Sequence, residues 1–149
     1  MSETAEMDEE RFWRLVEECR PPWPDPDADD LSSALVERLT AEPATVTAAF
    51  AETLSRLLWE LDRRELGEDE SSDSFLHTRA AVVAAGERAY RTVRADPVRF
   101  APFATGPVRA GSLLSVPGRA WRRLTGEEWQ RDTRYTYESY SNRAGWECG

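Results

Sequence analysis

The stretch TVTAAFAETLSRLLWEL, residues 45–61, decides the fold. Val46, Phe50, Leu54, Leu57, Leu58 and Leu61 recur at three- and four-residue intervals, so they share one stripe of a helix about five turns long. Thr40 and Pro43 mark its start, with the proline in a first-turn position where its missing N–H is not needed, and Gly67 marks its stop.

Upstream, Asp8 precedes Phe12, Leu15, Val16 and Cys19, a spacing that predicts an amphipathic helix over 9–20. It ends at PPWPDP, residues 21–26, whose four prolines forbid a helix and favour a polyproline-like connector with Trp23 as its one large anchor. Asp27, Asp29 and Asp30 follow, where the positive end of a helix accepts acids, and Leu31, Leu35, Val36 and Leu39 form the next stripe. Downstream, GEDESSD at 67–73 reads as a polar loop. Ser72 or Asp73 then caps a helix that buries Phe75, Val82, Val83, Tyr90 and Val93 and closes at Asp96 and Pro97.

From Pro97 to Gly118, prolines and glycines leave room only for short pieces around 98–103 and 110–116, before a last helix at 119–124 ends at Gly126. The tail DTRYTYESYSNRAGW, residues 132–146, alternates aromatic and polar residues as an edge strand or extended strap does. The expected fold is mainly α, a single-domain bundle-like body with a short extended or β C-terminal tail. Its parts are a disordered leader at 1–7, a helical domain at 8–126, and an aromatic tail at 127–149 packing on that domain.

Composition bounds the function. A chain of 149 residues fits one domain, and a domain of this size buries about 68 to 70% of its unfolded surface. Charged residues reach 32%, every basic one is arginine, and lysine and isoleucine are absent, a bias that suggests a GC-rich genome and hence a bacterial source. Cys19 and Cys148 form neither a disulfide framework nor a metal-ligand pattern, which fits a reducing compartment. Cys148, next to the end, reads as an exposed free thiol. The opening MSETAEMDEE is acidic where a secretory signal is basic and apolar, and no run approaches the roughly 20 apolar residues of a membrane span. A soluble, cytoplasmic protein with no membrane partner is expected.

The net charge of −9 is unevenly spread: residues 1–75 hold 21 acids against 7 arginines, and residues 76–149 hold 7 against 12. The halves either attract within one globule or leave an acidic face that steers a basic partner. Direct nucleic-acid binding is disfavoured, because phosphate contact needs a concentrated positive surface.

The order of pieces resembles a known family. ERFWRLVEE near the start, LLWELD in the long helix, SSDSF followed by Arg79 and Gly86, RADP at 94–97 and the late RRLTGEE are together similar to an uncharacterised bacterial domain-of-unknown-function family, number 4240, common in actinobacteria. The resemblance spans residues 8–126 and places the family's features on Phe12, Trp13, Trp59, Ser72, Asp73, Phe75, Arg79 and Gly86. Ser74 stands where a second aspartate is usual, and Ala81 where tryptophan is usual. The resemblance implies a helical fold and a bacterial cytoplasmic home, and no chemistry.

No catalytic residue, metal ligand or cofactor is nominated, and an enzyme is the less favoured reading. His77 is the single histidine, the paired acids diverge on their helices, and Ser71, Ser72 and Ser74 lie in no nucleophile elbow. Candidate ligand- or partner-binding residues are Asp73, Arg79, Trp13, Trp59 and Trp146. An arginine fork suits a carboxylate or phosphate, while an indole serves as core filler or interface anchor. Arg79 and Asp73 are six apart, off one helix face, so a loop has to bring them together. The favoured function is a non-enzymatic interaction or regulatory module, for example a toxin-neutralising partner, that presents an acidic face to a basic protein. The second reading is a small-molecule-binding accessory biosynthetic enzyme with a site between helices.

Overall fold

The structure, a computed structural model, describes residues 5–105 and 110–147. Leader residues 1–4, Gly106 and Pro107 of the proline-rich stretch, and Cys148 lie outside the described residues. The chain is mainly α, with no strand among the described residues.

Helix α1 (Glu9–Cys19) starts where the Asp8 side chain accepts the Glu10 amide, and it buries Phe12, Trp13, Leu15, Val16 and Cys19. Helix α2 (Asp29–Thr40) buries Leu31, Leu35, Val36 and Leu39. Helix α3 (Ala44–Glu60) touches α1 and α2 and buries residues on most of its circumference, including Phe50, Leu54, Leu57 and Leu58. Each such side chain stabilises the fold by about 1.5 to 3 kcal/mol relative to exposure. The single turn α4 (Arg64–Gly67) leads to α5 (Ser72–Ala84), which buries Phe75 and Thr78 through Ala84 and also packs on α3. Helix α6 (Glu87–Ala95), a 3₁₀ turn at Pro97–Phe100, α7 (Ala101–Thr105) and α8 (Gly111–Leu114) follow. Helix α9 (Val116–Thr125) then returns across α2 and α3 and stops at Gly126, whose φ of 76° is left-handed.

The structure corrects several expectations. Helix α3 ends at Glu60, not Gly67, because the Leu61 and Asp62 amides tighten back onto the Leu58 and Trp59 carbonyls at 3.2 and 3.0 Å. Gly67 is instead a point of close approach, since a Cβ there would lie 2.7 Å from the Phe75 ring. Pro43 sits at the N-cap, one residue before the first turn of α3. The fourth predicted helix is two helices, broken at Gly86, where φ is 107° and a Cβ would run into the Glu17 carboxylate. Ser71, rather than Ser72 or Asp73, caps α5 by accepting the Ser74 amide. Met7 does not belong to the leader expected over 1–7: it is buried, its amide donates to the Ala49 carbonyl at 3.0 Å, and its carbonyl accepts the Thr53 hydroxyl at 2.7 Å.

The tail is a strap and not a β-strand. Thr133, Tyr135, Tyr137 and Ser139 are half-buried while Asp132, Arg134, Thr136 and Glu138 are exposed, so the sequence alternation is real. Its backbone bonds run to side chains instead of a neighbouring strand, as when the Arg134 amide donates to Glu52 at 2.9 Å. One helical turn, α10 (Arg143–Trp146), closes it.

Candidate functional site

Two places gather polar or aromatic groups in a way that core packing does not account for. The first is a clasp beneath the tail. Asp62 lies one residue past the cap of α3, at the end where the helix dipole disfavours an anion. Its carboxylate is fully buried and accepts the Trp146 indole N–H at 2.7 Å, the Asn142 amide at 2.8 Å and the Tyr140 amide at 2.9 Å, while the Ser141 hydroxyl, 3.4 Å away, donates to the Glu138 carbonyl at 2.6 Å. Arg79, on α5, is also fully buried. Its fork donates to the Leu58 carbonyl, the Tyr137 carbonyl and the Ser139 hydroxyl oxygen, each at 2.9 Å, and its carbon lies 4.5 Å over the Phe75 ring. Burial pulls Arg79 down to about 10, with Asp62 and Glu70 opposing that shift, so the guanidinium stays charged at neutral pH. Its Nε and Glu70 Oε2 have no hydrogen-bond partner.

The predicted residues separate into distinct environments. Trp13 is core, 5.2 Å from Phe12 and 5.3 Å from Tyr90 between ring centroids. Trp59 is half-buried and packs on Tyr135 at 4.6 Å. Trp146 faces inward between Phe75 at 5.8 Å and Tyr140 at 4.7 Å. Asp73 is exposed and lies 3.8 Å from His77, so no loop brings it to Arg79. Sequence inspection missed Asp62. Its signal was an acid at the C-terminal end of an apolar helix, where electrostatics alone selects against one.

The second place is the connector before α2. Ala28 is left-handed at φ 56° and buried, a conformation that costs an alanine roughly 1–2 kcal/mol. The turn is held because the Ala28 amide donates to the Asp25 carbonyl at 3.0 Å. The Asp25 carboxylate accepts the Asp30 and Leu31 amides at 3.1 and 3.0 Å, and the Ser112 hydroxyl donates to the Asp27 carbonyl at 2.8 Å. Asp25 thus caps α2 from four residues before its first turn. Trp23 is 59% exposed and donates its indole N–H to Asp30 at 2.8 Å. Beside it lies a groove of about 210 Å³ lined by Pro21, Trp23, Ala81, Ala84, Ala85 and Phe103, with Arg20 and Asp25 at its margin.

A larger cavity of about 490 Å³ lies between α3, α9 and the tail. Ser55, Trp129 and Tyr137 line it together with Arg131, Asp132, Arg134 and Glu138. Among the described residues, no group of three or more His, Cys, Asp or Glu side chains is placed to hold a metal ion, and no helix is long and apolar enough to cross a membrane.

Fold and site together define a mainly α protein whose deepest ionised side chains grip its own C-terminal strap. The chain belongs to the family described as a protein of unknown function, DUF4240, whose family model matches residues 7–123. The strap held by Asp62 and Arg79 lies beyond the matched residues. No curated protein and no solved structure matches the chain.

Proposed function

We propose that the protein is a non-enzymatic interaction or regulatory module that receives a basic partner on acids of its first half. One observation carries this: Asp27, Asp29, Glu65 and Asp69 are exposed with no ion-pair partner among the described residues. Attraction between the halves accounts for other acids, since Arg94 meets Glu60 at 3.0 Å and Arg123 meets Glu37 at 2.7 Å, and it leaves this surplus in water. Exposed acids with no internal partner steer cationic surfaces in a salt-dependent way. A cytoplasmic setting is part of the same proposal.

The test is a pull-down from native lysate at low salt, with mass spectrometry of retained proteins and metabolites. The expected result is a basic protein released as salt rises. A bait that retains only neutral or acidic proteins at every salt concentration sinks the proposal. The 490 Å³ cavity favours a second reading, a small molecule held between α3, α9 and the tail, because its volume lies in the roughly 300–1,000 Å³ range of ligand pockets. A retained metabolite that raises the melting temperature supports that reading.

A further inference from the structure

Resting on the reading of the first half as the face for a basic partner, we propose that the groove beside Trp23 is the docking site for a short partner segment. One aliphatic side chain of that segment fills the groove, and flanking arginine or lysine side chains lie against Trp23 and the aspartates of residues 25–30.

The walls of the groove come from Pro21, Trp23, Ala81, Ala84, Ala85 and Phe103, side chains with no polar group directed at a ligand except the Trp23 N–H, which Asp30 already accepts. A volume of about 210 Å³ falls below the roughly 300 Å³ where pockets for whole small ligands begin, and suits a single side chain. Trp23 is one of three large hydrophobic side chains left exposed among the described residues, and its indole borders the apolar groove, so the two together present a contiguous apolar surface that a lone exposed side chain does not.

Charge selects the occupant. Among the described lining residues Arg20 is the single cation, and it is already engaged by Glu17 at 2.9 Å and by the Ala85 carbonyl. Asp25 and Asp27 of the connector and Asp29 and Asp30 of the first turn of α2 sit within six residues, and Asp27 and Asp29 are exposed without ion-pair partners among the described residues. A cation beside this indole gains from the ring as well as from the carboxylates. The prolines and the held turn at Ala28 fix the connector before anything binds, so docking orders little chain.

The experiment uses the full chain and three capped pentapeptides: alternating arginine and leucine, alternating arginine and serine, and alternating glutamate and leucine. Affinity is measured by calorimetry, and the Trp23 indole N–H is followed by NMR, assigned through its loss in Trp23→Phe. The arginine–leucine peptide is expected to bind, to move that resonance and to weaken as salt rises. Its affinity exceeds that of the arginine–serine peptide by tenfold or more, and Trp23→Ala lowers it by tenfold or more with an unchanged circular dichroism spectrum.

If Asp27→Asn with Asp29→Asn weakens binding but Trp23→Ala does not, the groove is not the site and the acidic reading stands. Equal binding of the glutamate–leucine peptide overturns both. No binding by any peptide overturns the groove alone, because the pull-down decides the wider reading independently. A Trp23-dependent dimer in sedimentation assigns the groove to a second copy of the chain and also overturns the inference.

Discussion

Asp62 and Asp29 are both aspartates in a chain rich in acids, and their surroundings give them opposite roles. Asp62 is enclosed and accepts three N–H donors from the tail, so its charge is answered by its own polypeptide. Asp29, in the first turn of α2, is exposed and has no ion-pair partner among the described residues beyond the dipole of its own helix. Arg79 and Trp23 repeat the contrast between a buried group whose two terminal nitrogens are bonded from within and an exposed group beside an open groove. In this protein the buried Asp62 and Arg79 tie the tail to the helices, while exposed acids such as Asp27 and Asp29 have no ion-pair partner among the described residues.

The largest expected effect lies in the clasp. Arg79→Ala takes the guanidinium donor from the Tyr137 carbonyl, leaves the Leu58 carbonyl with the Leu61 amide alone, and is expected to cost about 4 kcal/mol in urea unfolding. Arg79→Lys, which keeps the charge but loses the fork, is expected to cost roughly half of that. A loss below about 1 kcal/mol for the alanine variant would show that the buried charge is not what binds the strap.

Asp62→Asn comes next, at about 2 to 3 kcal/mol, because a neutral amide accepts more weakly and presents a donor to groups that are donors already. Trypsin is expected to cut at Arg134 or Arg143 in this variant long before it cuts the wild type. Equal digestion rates would mean that the tail is held by its aromatic contacts and not by the carboxylate.

At the connector the stability effects shrink. Asp29→Asn removes an acid from the first turn of α2 and is expected to cost about 0.5 kcal/mol at low salt, fading as salt screens the dipole. Trp23→Ala is expected to change stability by no more than about 0.5 kcal/mol, against about 3 to 5 kcal/mol for Trp13→Ala in the core. Thermal melts of the two tryptophan variants side by side are the direct check. A destabilisation by Trp23→Ala that approaches the Trp13 value would make the exposed indole a structural anchor and erase the contrast.

Much of the fold was legible in residue spacing. The stripes of α1, α2 and α3, the helix stop at Gly126 and the inward alternation of Tyr135 and Tyr137 follow from periodicity, which acts locally. The break at Gly86 did not follow from residue spacing: its φ of 107° lies where glycine is favoured, and the side chains that leave no room for a Cβ, Glu17 and Arg20, come from the far end of the sequence. For the same reason Asp73 looked like a partner for Arg79. The distance along a chain does not reveal that an acid points into water while the guanidinium turns to carbonyls of α3 and the tail.

The sequence by itself determined the apolar stripes of the main helices α1, α2 and α3, because backbone preference and side-chain periodicity operate within a few residues. It also determined the surplus of acids in the first half. Only the tertiary structure decided which charges are enclosed and which remain outside. A buried ion survives where donors or acceptors from distant segments converge on it, as the tail converges on Asp62 and as α3 and the tail converge on Arg79, and that convergence is a property of the packed chain.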